Sequence, residues 1–237
     1  MTSDRRPPRD AGNWAQRVDR LTAPDGAEAH AFGVEGRRVA GPQQGFGALW
    51  DRDFTVALGD AATPAQVIAD WRARFGDFWP RGGTFYGAIT ALEAGDVAPL
   101  TAGGVTTGIL VIYADETSFS FMTPEGHMFG GLNTFSAEHT EDRGTVVRIR
   151  MLVRTADPSW ELLWPVLKAS EGRFWRATLA NVAAANGVPD AVVEEATVCV
   201  DRGRLWRNWR NVFRNGALVT LAHVVGRRSR ARRGGDR

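Results

Sequence analysis

The sequence predicts an α+β fold: a curved antiparallel sheet wrapped around one long C-terminal helix, with an extra helical segment after it. Three observations lead there. Between residues 54 and 155 the chain reads as a strand, a helix and five further strands, most of them with period-two alternation. From Asp157-Pro158 to Asn186-Gly187 the pattern changes to a long helical one. Beyond residue 187, tryptophan, phenylalanine and arginine mix at helical spacing.

Composition sets the outer bounds. Of 237 residues, 43% are hydrophobic and 24% charged, ordinary values for a globular chain. They exclude a wholly disordered chain, a collagen-like chain and a multi-pass membrane protein. No run of 18 or more apolar residues is present, so no spanning helix is expected. Cys199 is the only cysteine, which excludes an intrachain disulfide and a cysteine-rich zinc site. The net charge of +2 hides a division. Residues 201–237 carry 11 arginines against Asp201 and Asp236, a net of +9; residues 1–200 carry 18 basic and 25 acidic groups, a net of −7. Lys168 is the only lysine, and so strong an arginine bias reads as a GC-rich genome rather than as phosphate recognition.

Residues 1–44 hold RRPPRD, several glycines and few apolar side chains, the composition of a poorly ordered extension. Within it Trp14, Val18 and Leu21 have the spacing of a short docking helix. The basic start has no apolar stretch after it and is no signal peptide. From 45 to 187 the elements follow closely. Phe54, Val56 and Leu58 alternate as a strand; Thr63 then caps a helix with Pro64 at its first position, and Val67, Ile68, Trp71 and Phe75 form its inner stripe. Gly76 and Pro80 end it.

Strands are expected at 85–92, 105–113, 116–122, 132–139 and 145–155, with EDRG at 141–144 as the turn of a hairpin. In the last of them Val147, Ile149, Met151 and Val153 share one face, and Val146, Arg148, Arg150, Leu152 and Arg154 the other. The helical region after Asp157 has Leu163, Leu167, Phe174, Thr178 and Val182 as its inner stripe. Pro165 inside it demands a kink or a fresh start there, since an interior proline costs ~3 kcal/mol. Such a helix buries its stripe on the sheet's concave face, and a pocket between the two layers is the expected by-product.

This order, and the segment FSFMTPEGHMFGGLNTFSAEHTEDRGTVVRIRMLVR at 119–154 in particular, resembles the START-like superfamily, also called SRPBCC or helix-grip. Within it the chain is similar to an uncharacterised family of START-like domains from bacteria and plants, through Thr123, Pro124, Glu125, Gly126 and His127 in one turn and Gly130-Gly131 after it. The acidic residues that follow the glycine step in that family are replaced here by Gly131 and Leu132, so any role of those acids does not carry over. The resemblance covers 45–187 and implies a deep, mostly apolar pocket for a lipid-like or polyketide-like small molecule. It fixes no reaction, because the superfamily holds carriers, sensors, cyclases and oxygenase subunits.

The ligand-lining candidates are Trp71, Tyr86, Tyr113, Phe119, Phe121, Phe135, Met151 and Trp164, with the two tyrosines as polar handles. Catalytic candidates are His127 with Glu125 in the turn, and His139. Each has a plainer reading as a turn or strand-end histidine. Glu138 and His139 point to opposite faces of a strand and cannot grip one metal together from it, and the four histidines have no ligand spacing. No metal or cofactor is expected. TAGG at 101–104 and FGG at 129–131 match no phosphate-binding loop, and no GxSxG occurs.

Residues 188–237 read as a basic amphipathic extension. In RLWRNWRNVFR, Trp206, Trp209 and Phe213 cluster on one side, with Arg207, Arg210 and Arg214 around the rest, and GRRSRARR follows at 226–233. That combination fits an interfacial helix on an anionic membrane surface, or a helix packed on the domain with a solvated tail. No nucleic-acid-binding motif accompanies it, so nucleic acid is not an expected partner. The leading expectation is binding, carriage or sensing of a small hydrophobic molecule in an internal cavity. The alternatives are a cyclase or dehydratase with a pocket histidine, and a peripheral membrane protein. The expected location is the cytoplasm or the inner face of its membrane.

Overall fold

A computed structural model describes residues 10–86 and 91–221. The polybasic run at 226–233 and His223 lie outside the described residues. The strands are β1 (Val39–Ala40), β2 (Leu49–Gly59), β3 (Gly83–Phe85), β4 (Val97–Ala102), β5 (Val105–Ala114), β6 (Ser118–Pro124), β7 (Phe129–Thr140), β8 (Gly144–Thr155) and β9 (Glu194–Asp201). The helices are α1 (Pro64–Ala73), α2 (Pro158–Leu162) and α3 (Trp164–Ala185). The sheet runs β3-β4-β5-β6-β7-β8-β2-β9, with β1 on β6, and every pairing is antiparallel. It curves without closing, and the long helix α3 lies against its inner face: the helix-grip arrangement that the resemblance implied.

Local chemistry explains the helix starts. Thr63 accepts from the Gln66 N–H while Gln66 returns a bond to the Thr63 N–H, a capping box, with Pro64 next in line. Asp157 caps α2 by accepting from Ser159 and Trp160. The chain then stops at Leu163 and begins again as α3, so that Pro165 falls in a first turn where its missing N–H costs nothing. Leu163, expected inside, is 46% exposed; Thr178 and Val182 are buried as expected, Leu167 and Phe174 pack partly buried against the core, and Trp164, Trp175, Leu179 and Ala183 complete the inner stripe.

Three segments depart from the sequence expectations. The strand expected over 85–92 is short, β3 alone, and residues 87–90 lie outside the described residues. Its partner β4 holds Pro99, which a strand reading discounts. Residues 194–201 form the ninth strand, paired to β2 from Leu49↔Asp201 to Thr55↔Glu194. Finally, residues 10–44 are packed rather than loose. Leu21, Ala27 and Val34 are buried, and a 3-10 helix at Glu28–Gly33 lies on the sheet with its Gly33 hard against the backbone of Thr107. Residues 15–18 are not helical; the Ala15 N–H donates to Ile112 O at 2.9 Å and Trp14 bridges to Tyr113. Residues 10–48 thus form a strap across the outer face of the sheet. Composition hid this because many of the strap's polar groups bond to backbone, and a few buried apolar side chains, Leu21, Ala27, Val34, Ala40 and Phe46, seat it.

Candidate functional site

The inner layer is filled by aromatic rings. Trp71, Phe119, Phe121, Phe135 and Met151 all lie in it, buried. Phe135 stacks on Phe119 at 4.7 Å between ring centroids and meets Trp71 at 5.1 Å, Phe121 at 5.1 Å and Trp175 at 5.5 Å. Trp164 stacks on Trp50 at 5.1 Å nearer the β2 edge. Six of the eight lining candidates therefore share the layer between sheet and helices, where ring meets ring. Asn133 interrupts the rings with a polar group, level with Phe121 and Met151 in the register, and its buried Oδ1 has no hydrogen-bond partner among the described residues.

The two tyrosines go elsewhere. A bulge after Val111 shifts the alternation of β5, so Tyr113 pairs with Ser120 on the outer face. It lies under Trp14, 4.9 Å between centroids, and its hydroxyl donates to Asp115. Tyr86 follows Phe85, which takes the inner position against Phe75, and stacks on His30 of the strap at 3.5 Å. Both tyrosine rings pack against the strap, and the Tyr113 hydroxyl is taken up by Asp115.

The catalytic candidates are also dispersed. His127 has its Nδ1 2.9 Å from Phe129 N and 3.1 Å from Phe129 O, which ties the ring to the start of β7. Burial pulls its pKa down to about 4, so it is neutral at pH 7. Glu125 pairs with Arg214 at 2.6 Å rather than with a histidine. His139 is exposed near the end of β7. No three His, Cys, Asp or Glu side chains gather as metal ligands among the described residues.

Sequence reasoning missed a buried charge cluster. Arg52 points inward from β2, fully buried, and donates to Glu171 of α3 at 2.7 Å, to Glu195 of β9 at 2.8 Å and to Lys168 O at 3.1 Å. Gly172 makes the approach possible, since a Cβ there would stand 2.8 Å from Arg52 Nη2. Burial pushes the Glu171 carboxyl up to about 7 against the pull of Arg52. Burial also works against ionised Glu195, yet Arg52 and Arg176 hold its carboxyl below the usual range. The cluster locks α3 to the sheet edge. The strand alternation of 50–58 offered the signal: an arginine in an inward position.

One depression of about 340 Å³ opens beside α1 and β3, lined by Arg72, Phe75 and Phe85 among others, and the larger concavity lies on the other side of the sheet. Two adjoining depressions of about 490 Å³ each run between the strap and the outer face, sharing Arg17, Val18, Arg38 and Val39. The floor is Leu110, Ile112 and Met122, and Trp14 closes one flank. Arg17 and Arg38 stand on the rim without an ion-pair partner among the described residues. Gln44 and Glu125 line both this groove and a smaller cavity of about 200 Å³ that continues to Asn208, Asn211 and Arg214. Gly126 sits at that junction with φ +88°, where a Cβ would meet Arg37 Nη1 and the Arg214 carbonyl. The Arg37 guanidinium is lowered by burial, with Glu125 opposing, and donates to Glu125 O at 2.5 Å.

The C-terminal candidates lie on a 3-10 helix at Trp206–Arg214 that is docked on the domain. Asn208 donates to Gln43 O and Gly45 O, and Asn211 to Gln44 O and Ala156 O. Trp206, Trp209 and Phe213 remain exposed.

No protein-family description matches the chain, and no curated protein does. Several solved structures are loosely similar. A hypothetical protein, jhp0584, from Helicobacter pylori is 9% identical with a TM-score of 0.41, over 58% of this chain and 87% of its own. The KanY protein is 15% identical with a TM-score of 0.43, over 57% and 95%. The di-domain ARO/CYC StfQ from the steffimycin biosynthetic pathway is 13% identical with a TM-score of 0.39, over 60% and 53%. Likenesses at this level say nothing of what the chain binds.

Proposed function

We propose that this domain binds a small amphiphile, an apolar chain or ring bearing an anionic group, in the groove between the N-terminal strap and the outer face of the sheet. The observation that carries the reading is the groove's composition. An apolar floor of Leu110, Ile112 and Met122 lies beneath Arg17 and Arg38, which have no ion-pair partner among the described residues; of the carboxylates that also line the groove, Glu125 is paired to Arg214 and Asp19 lines the adjoining depression. Apolar surface removed from water there gains about 25 cal/mol per Å², and a guanidinium fits a carboxylate or phosphate with paired hydrogen bonds. Such concave, apolar sites with a few polar groups are where small molecules bind. The test is calorimetric titration with dodecanoate, dodecanol and dodecylamine. Dodecanoate binds, dodecylamine does not, and the double variant Arg17→Glu, Arg38→Glu loses dodecanoate. Equal binding of acid and amine, or no effect of the variant, overturns the reading.

A second reading places an apolar ligand between the sheet and α3. It is favoured by Asn133, whose buried oxygen lacks a partner, and by the indole N–H of Trp71, buried in the same layer with none. Buried polar atoms are almost always satisfied, and exceptions call for a cause. Asn133→Leu separates the two readings: it abolishes binding of an internal ligand and leaves the groove's dodecanoate affinity unchanged.

A further inference from the structure

The 3-10 helix at Trp206–Arg214 is docked inside out. A surface helix normally turns its aromatic residues to the core and its amides to water. Here the amides of Asn208 and Asn211 face the domain and donate four bonds to backbone carbonyls of the strap and of Ala156. Asn215 extends the row, donating to Asp157 at 3.0 Å, and is buried. The apolar side chains take the outward positions. Trp206 touches the edge of Phe46 at 5.2 Å yet is 68% exposed, and Phe213 is 75% exposed. Residues 216–221 continue as helix, with Leu218 and Leu221 exposed as well. The arrangement fixes an apolar face in place, because the polar anchors hold the backbone while Trp206, Trp209 and Phe213 stay largely exposed, with only edge contacts to Phe46 and to each other among the described residues.

Charge identifies what the face meets. No acidic residue occurs between Asp201 and Asp236, while that interval holds ten arginines. Arg204 and Arg214 are paired to Glu161 and Glu125. Arg202, Arg207 and Arg210 have no ion-pair partner among the described residues, and Arg210 lies over the Trp209 ring at 5.6 Å. Tryptophan rings at the headgroup level with arginines beside them are how a helix lies in the interface of an anionic bilayer. We infer that this face docks the protein on an anionic membrane surface, with Trp206, Trp209 and Phe213 inserted at the headgroup level and Arg207 and Arg210 on lipid phosphates. The inference stands apart from the groove and does not depend on it.

The full chain is to be tested by flotation with phosphatidylcholine vesicles with and without phosphatidylglycerol. Binding is expected only to vesicles that contain phosphatidylglycerol, and is lost near 1 M salt, where screening acts within about 3 Å. Arg207→Ser lowers partitioning about fivefold, the equivalent of ~1 kcal/mol for one interfacial arginine. The triple variant Trp206→Ser, Trp209→Ser, Phe213→Ser abolishes it, with an unchanged circular dichroism spectrum and melting curve. Full binding by the triple variant would mean that the basic tail alone acts, and overturns the inference. So does failure of the native chain to bind, or a native dimer that the triple variant converts to monomer, which would make the face a contact between two copies.

Discussion

On the inner side of the sheet, Phe135 touches Phe119, Phe121, Trp71 and Trp175 ring to ring. On the outer side, the strap and the C-terminal 3-10 helix are held by amides, guanidinium groups and carbonyls, while Trp206 and Phe213 stay in water. The same residue types serve opposite ends. Inside, aromatic surface is spent on cohesion. Outside, directional polar bonds share the work with a few buried side chains such as Leu21, Val34 and Phe46, and apolar surface is left over for something else. A tryptophan in this chain is therefore informative only once the side of the sheet is known.

That contrast can be broken by mutation. The largest effect is expected inside: Phe135→Ala destabilises the fold by about 3–5 kcal/mol, the range for an aromatic removed from a packed core, as urea unfolding would show. A loss below about 1 kcal/mol, with collapse of the site excluded, would mean that the ring lines open space. Next comes the outer anchor. Asn208→Ala with Asn211→Ala removes four hydrogen bonds, each worth ~0.5–1.5 kcal/mol at most. A total near 2 kcal/mol is expected, together with faster proteolysis within 202–214 and little change in amide exchange of α3.

Smaller effects come from two groups that pull stability in opposite directions with pH. His127 has its folded pKa lowered from 6.5 to about 4, so its contribution is whole above 6.5 and is lost as pH falls toward 4. Glu171 is raised from 4.5 to about 7, so its contribution is whole below 4.5 and is lost as pH rises through 7. Between those values the two slopes oppose. His127→Gln should leave a chain that gains stability on mild acidification, and Glu171→Gln one that loses it; denaturant midpoints across that range decide. The smallest effect on stability belongs to Trp206→Ser, within about 0.5 kcal/mol, as for an exposed residue outside any buried network.

The inner half of the fold was legible because its signals are periodic. Alternation in 145–155 and the Thr63-Pro64 start both appear where expected. The outer half was not, because its logic is not periodic. Nothing in residues 10–44 announces that scattered side chains such as Leu21, Ala27, Val34 and Ala40 seat a strap. The β5 bulge that turns Tyr113 outward has no sequence mark, so a tyrosine expected as a polar handle in the cavity lies on the outer face. The ninth strand was readable, since EEATVCVD alternates, but it was grouped with the basic segment after it as one extension and given no element of its own. For the site the same divide holds. The lining residues were selected largely by ring size, which marks the packed layer, whereas the groove is marked by Arg17 and Arg38, without ion-pair partners among the described residues, above Leu110, Ile112 and Met122.

The central claim is that ligands are met by the outer layer and not by the aromatic interior. Amide hydrogen exchange of the full chain with and without dodecanoate tests it most directly. Slowed exchange confined to residues 14–20, 38–39 and 110–112 is the predicted result. Protection confined instead to α1, α3 and the inner strands around Asn133 would contradict it.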